Sequence, residues 1–258
     1  MTTVRALARQ AVRIGAALGI ASFGLAVAPQ PAGASTYTSI SGSGSSWASV
    51  ALDQWQSNVR QNGLVVNYNP DGSAAGRQDY INDQVDFSGS DPPFRNGSDN
   101  LDPNGKESEL PVPYGYSYVP DTAGGTAFMY HLTVAGHLIT NLRLAPLTIM
   151  KIFTGQITNW DDKRITRDYG AQLPNLPITP VVRSDGSGAT FFLTRWMEHL
   201  DPPLWNSFCQ RVHPGIKLPC PQTEFYPTFG NAKAENGSTN VANYITSSYG
   251  NEIGRAHV

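Results

Sequence analysis

Three times in this chain a glycine- and serine-rich turn runs directly into a helix-patterned stretch: GSGSSWASV at 42–50, NPDGSAAGRQDYI at 69–81, and RSDGSGAT at 183–190 followed by FFLTRWMEHL. Short β-rich segments lie between these helices, and that alternation limits the folds available. Residues 45–63 carry Trp47, Val50, Ala51, Leu52, Trp55 and Val59 at helical spacing, with Gly63 as a stop. LVVNY (64–68) predicts a strand, 73–84 a helix and VDFSGS (85–90) a strand. Further on, PVPYGYSYV (111–119) and TAFMYHLTV (126–134) predict strands. APLTIMKIFTG predicts a helix ended by Gly155, LPITPVV (176–182) a strand and 187–200 a helix. This is the βαβ rhythm of an α/β protein with mainly parallel sheets. No internal repeat or low-complexity linker interrupts it.

A chain of 258 residues can bury a substantial core as one large domain or two lobes. Hydrophobic residues at 40% against 15% charged suit a globular α/β protein with many turns better than a disordered or coiled-coil chain. The formal charge of −2 gives no basis for nucleic-acid binding.

The first 34 residues read as a separate unit. Arg5, Arg9 and Arg13 precede an apolar run from Ile14 to Ala28, and PAGA then leads into Ser35. A basic start, a short apolar core and a small-residue exit predict a secretory signal peptide at 1–34 rather than a membrane anchor. Its removal takes the charge from −2 to −5. No cysteine near the cleavage point offers a lipid attachment site. Export makes Cys209 and Cys220 a candidate disulfide around QRVHPGIKLP. The competing reading, a metal site with His213, lacks a fourth ligand at finger-like spacing. At the other end, NEIGRAHV shows neither turn logic nor apolar pattern. EIGRAHV reads as the translation of a common sequencing adaptor, so 251–258 is expected to be an artefactual tail, a frayed polar end being the alternative.

The repeated turns carry the chemistry. The first backbone N–H groups of a helix lack intrahelical partners, and the helix dipole adds partial positive charge there. Glycine lets an anion approach the backbone and serine adds a hydroxyl donor. Three such starts, at 45–47, 73–75 and 187–189, with Arg183 ahead of the third, point to one shared anion. Asp91, ending VDFSGSD, would repel a fully ionised anion but can accept a hydrogen bond from a P–OH group. It therefore favours hydrogen phosphate over sulfate. A turn-capping role before Pro92-Pro93 is its structural alternative.

GSGSSW, YNPDGSAAGR, VDFSGSDPPF, IMKIFTGQITNWDD and VVRSDGSGATFF together resemble the phosphate-binding protein of bacterial phosphate ABC transporters, in the family's order, from about Tyr37 to Gly250. The resemblance implies a type II periplasmic binding protein-like fold of two lobes closing over one phosphate ion. It divides the chain into lobe 1 at 35–120 and lobe 2 at 121–250. It also implies the ligand set: the Ser46 hydroxyl, the Trp47 N–H, Ser73, Asp91, Arg183, and Ser187, Gly188 and Ala189 at a helix start. Asp185 is implied to orient the arginine. Phosphate and the membrane permease of an importer are the implied partners, with a monomeric, secreted, non-catalytic protein that needs no metal or cofactor.

Two departures qualify the resemblance. Ala189 stands where the family usually has threonine, which removes one side-chain donor worth about 1.5–3 kcal/mol to a charged group. The segment that returns to complete the first lobe is also expected to be missing, leaving that lobe incomplete with exposed apolar surface. The alternatives are a phosphate-binding-like domain of a longer surface-anchored receptor or adhesion protein, or a pocket for another tetrahedral oxyanion such as sulfate. A serine hydrolase is not favoured: neither GSGSS nor DGSGAT fits Gly-x-Ser-x-Gly, and His131, His137, His199 and His213 sit in no triad context.

Overall fold

The computed structural model describes residues 37–97, 99, 101–103, 108–247 and 251–257. The signal peptide expected at 1–34 lies outside the described residues. No helix among the described residues is long and apolar enough to cross a membrane.

The N-terminal part is a small parallel sheet with two helices. Strand β1 (Ile40–Gly44) leads to helix α1 (Ser49–Arg60), β2 (Val66–Asn69) to α2 (Ser73–Ile81), and β3 (Phe87–Gly89) follows, in the order β2-β1-β3. All pairings are parallel, with Ser43 opposite Asn69 and Gly44 opposite Gly89. The three strands therefore finish at one edge, where Ser45, Gly72 and Asp91 follow them. Helix α2 packs so closely on β1 that a Cβ on Gly76 would lie 2.3 Å from Gly44 Cα, so glycine is required there. Helix α1 buries none of its residues and leaves Val50 78% exposed.

The second sheet is larger. In chain order come β4 (Thr126–Val134), β5 (His137–Leu138), α3 (Pro146–Phe153), α4 (Lys163–Tyr169), β6 (Thr179–Arg183), α5 (Gly188–Leu200), α6 (Pro202–Val212), β7 (Lys233–Glu235), α7 (Gly237–Ser247) and β8 (Asn251–His257). The strand order is β5-β4-β8-β6-β7. Strand β6 runs parallel to β7 and β8, whereas β4 is antiparallel to β5 and β8. The main core lies between this sheet and its helices and includes Leu132, Phe153, Trp160, Ile178, Trp205 and Phe208. Each such side chain contributes about 1.5–3 kcal/mol on burial.

Cys209, in the last turns of α6, is disulfide-bonded to Cys220, and both are fully buried. The bond replaces the metal reading of this pair with His213. Loop-closure entropy gives such a link a contribution of about 3 kcal/mol.

Three expectations need correction. PVPYGYSYV (111–119) forms no strand, because Pro113 has no N–H to give a ladder and Gly115 turns the chain at φ +75°. Tyr116 instead packs edge-on with Phe94, at 4.8 Å between ring centroids, and Tyr118 lies tilted against the same ring at 6.4 Å. The helix expected from residue 45 begins at Ser49, because Ser46–Ala48 form a turn. Residues 251–257, read as a patternless tail, form β8 in the middle of the larger sheet. Ile253 is buried there, and Trp160 Nε1 donates to the Asn251 carbonyl at 3.2 Å.

Candidate functional site

In both sheets the chain leaves a strand end and enters a helix, and these junctions meet. Strand β1 delivers Ser45, Ser46 and Trp47, α2 starts with Ser73, and the turn after β3 carries Asp91. Strand β6 ends at Arg183, α5 starts after Ser187, and β7 hands over to α7 at Gly237 and Ser238. Ligands of open α/β sheets collect at this carboxyl side of the strands.

Arg183 is 7% exposed. Its Nε donates to Asp185 Oδ1 at 2.6 Å and its Nη2 is ion-paired with Asp185 Oδ2, a fork held on both tines. Its Nη1 reaches Ser46 Oγ at 3.1 Å and Ser238 Oγ at 3.0 Å. The guanidinium so joins the turn after β1 to the start of α7. Beside it, between Ala189, Leu193 and Ser238, lies a cavity of about 20 Å3, room for one water-sized group.

Asp91 accepts from Ser45 Oγ at 2.6 Å and from Ser73 Oγ at 3.3 Å. Gly188 sits against it, and a Cβ there would lie 2.4 Å from Asp91 Oδ2. A side chain at 188 would therefore displace the carboxylate. Tyr68 donates to the Ser45 carbonyl at 3.0 Å, and burial, helped by the Asp91 charge, pushes its phenol well above the ordinary range. A cleft of about 250 Å3 opens beside Asp91, lined by Trp47, Ser90, Tyr118 and Val119 among others.

The structure brings all eight expected ligand residues and Asp185 into this region, with differences in detail. The Trp47 N–H donates to Ser45 Oγ at 3.1 Å. Ser187 occupies the N-cap position of α5 in an extended conformation, and its side chain makes no capping bond; its N–H donates to the Glu224 carbonyl at 3.0 Å. Ala189 is buried in the first turn of α5. The start of α2 meets the loop before α5 directly, through the Ala74 N–H and the Gly186 carbonyl at 3.2 Å.

Two residues at the site are absent from the expected ligand set, although Ser45 lies in the expected helix start at 45–47. Ser45 belongs to the same turn as Ser46 and takes the closest contact with Asp91. Ser238 opens α7 within NGST, a fourth glycine–serine helix start, and that repetition was the signal that could have found it. Among the described residues, no group of three or more His, Cys, Asp or Glu side chains is arranged to hold a metal ion.

Residues 29–253 match the family described as the PBP superfamily domain. The chain belongs to the PBP superfamily. Within it, similarity extends to the phosphate-binding protein PstS of Pasteurella multocida, 33% identical over 162 residues, 61% of this chain and 42% of that protein. The PstS of Xylella fastidiosa strain 9a5c is 28% identical over 205 residues, covering 79% of this chain and 51% of its own length. The chain thus spans about half or less of these relatives. Among solved structures, the phosphate binding protein from Stenotrophomonas maltophilia superimposes with a TM-score of 0.60 at 16% identity, over 86% of this chain and 61% of that one. A human phosphate binding apolipoprotein superimposes at 0.55 with 18% identity, over 84% and 56%. At those identities the likeness bears on the fold, which is the α/β architecture of periplasmic binding proteins.

Proposed function

We propose that this PBP superfamily chain binds inorganic phosphate in its protonated form outside the cytoplasm and presents it to the permease of an ABC importer. The observation that carries the reading is the pairing of opposite charges around one cluster of serines. Arg183, aimed by Asp185, supplies the cation, and Asp91 supplies an acceptor for the proton on the ligand. Ser46, Ser73 and Ser187, with the N–H groups of Gly188 and Ala189, supply the remaining donors, joined by the Trp47 N–H once it exchanges Ser45 Oγ for the ligand.

The mechanism is capture without chemistry. Residues 35–120 and 121–250 act as two lobes that close on the ion by hinge motion. A carboxylate facing sulfate would meet no proton, and the resulting unpaired contact rejects that ion. The protein acts as a secreted monomer and uses no cofactor. Titration calorimetry of the full chain with phosphate and then sulfate near neutral pH tests this reading. Phosphate alone should bind, and comparable heats from the two ions would leave an oxyanion pocket without the proton filter.

A further inference from the structure

One buried arginine outside the expected ligand set ties together three segments that carry site residues. Arg77 lies one helical turn beyond Ser73 in α2 and is 1% exposed. Its Nε donates to Glu109 Oε2 at 2.8 Å and its Nη2 to Glu109 Oε1 at 3.1 Å. Its Nη1 donates to Ser90 Oγ at 2.8 Å and to Glu224 Oε1 at 3.1 Å. Its Nη2 is also ion-paired with Glu224 Oε2. A guanidinium has five N–H donors, and here each has a partner.

The partners stand next to site residues on separate parts of the chain. Ser90 precedes Asp91. Glu224 receives the Ser187 N–H on its carbonyl, beside the N-terminus of α5. Ser73 is on Arg77's own helix. Arg95 adds a second cation near Glu224, at 3.9 Å, and Arg95 N–H donates to Glu109 Oε2 at 2.7 Å. Burial works against the Arg77 charge, but Glu224 and Glu109 outweigh it and hold the guanidinium above its ordinary pKa.

We infer that Arg77 is a positioning residue for the anion site: through Ser90, Glu224 and its own helix it fixes the spacing between Asp91, the start of α5 and Ser73. A buried ionic network is poor evidence for added stability, but an arginine whose five donors are all paired is held in a single geometry. Lysine would keep the charge and lose the fork, since it has three donors on one nitrogen and cannot span three partners in a plane. The link to ligand binding rests on the phosphate reading above, whereas the link between the helix starts does not.

The test uses Arg77→Lys, Glu224→Gln and the milder Ser90→Ala in the full chain, with two readouts. The first is amide hydrogen exchange without ligand. In Arg77→Lys and Glu224→Gln, the Ser187 and Ala74 amides should exchange at least tenfold faster, with the β6 amides unchanged. The second is phosphate affinity on folded protein, which should weaken at least tenfold in Arg77→Lys and severalfold in Ser90→Ala. Unchanged exchange at Ser187 and Ala74, or a rise shared equally by β6, would overturn the positioning role. So would unchanged affinity in both folded variants. If the unsubstituted chain gives no phosphate heat, the phosphate reading fails and the exchange result alone decides the inference. If Arg77→Lys does not fold, Glu224→Gln and Ser90→Ala decide it by the same two criteria.

Discussion

Asp185 binds two groups at once: its Oδ1 accepts from Arg183 Nε at 2.6 Å and from the Gly237 amide at 3.0 Å. One carboxylate thus ties the end of β6 to the start of α7 and holds the guanidinium in one orientation. Asp185→Asn should loosen that fork. A charged hydrogen bond contributes about 1.5–3 kcal/mol, so phosphate affinity should fall by about 10- to 100-fold. Arg183→Ala should abolish tight binding. Calorimetry on both variants checks this, and an unaffected affinity in Arg183→Ala would refute the pocket assignment.

Asp91 is expected to set the choice of anion rather than the overall strength of binding. Asp91→Asn keeps the volume and swaps an acceptor oxygen for a donor, so the preference for phosphate over sulfate should shrink. The shift should exceed that caused by substituting any of the serines. Competition titrations with the two ions measure it, and equal loss for both would remove Asp91 from the filter.

Ser238 reaches both Arg183 and Ser46 from the start of α7. Ser238→Ala should weaken phosphate binding about five- to tenfold, in line with about 1 kcal/mol for one hydrogen bond. Ser238→Thr, which keeps a hydroxyl, should recover most of it. Loss of affinity in both variants alike would argue for crowding rather than hydrogen bonding.

Asp71, in the turn before Ser73, has its pKa raised from 3.8 to about 6, first by burial and then by the charge of Asp79. Its Oδ1 has no hydrogen-bond partner. The folded chain therefore holds this proton more tightly than the unfolded one. The stability associated with it is present below about pH 4 and is lost as pH rises through about 6. Asp71→Asn should raise the melting temperature at pH 7.5 relative to the parent chain and give little gain at pH 4. Thermal unfolding at the two pH values measures the difference.

The helix starts at Ser73 and Gly188 were legible in the sequence because glycine and serine mark where a strand ends and unpaired backbone donors begin. Arg183 stood out because it precedes one of those starts, whereas the role of Asp185 came only from the family resemblance. Arg77 and Glu224 were not, since they lie 147 residues apart and neither stands in a pattern that announces a partner. The 111–119 stretch was misread because alternating tyrosines look alike in a strand and in a loop packed on Phe94. Strand β8 was missed because its run is short of apolar residues, and only the sheet around it supplies the pairing.

The central claim is that opposite charges at Arg183 and Asp91 make one site for a protonated oxyanion. Calorimetric titration of the full, folded chain with phosphate and then sulfate near pH 7 tests it most directly. The account predicts saturable phosphate binding at micromolar or lower concentration and no comparable heat from sulfate. Absence of heat with either ion would contradict it and leave the serine-lined turns as scaffold alone.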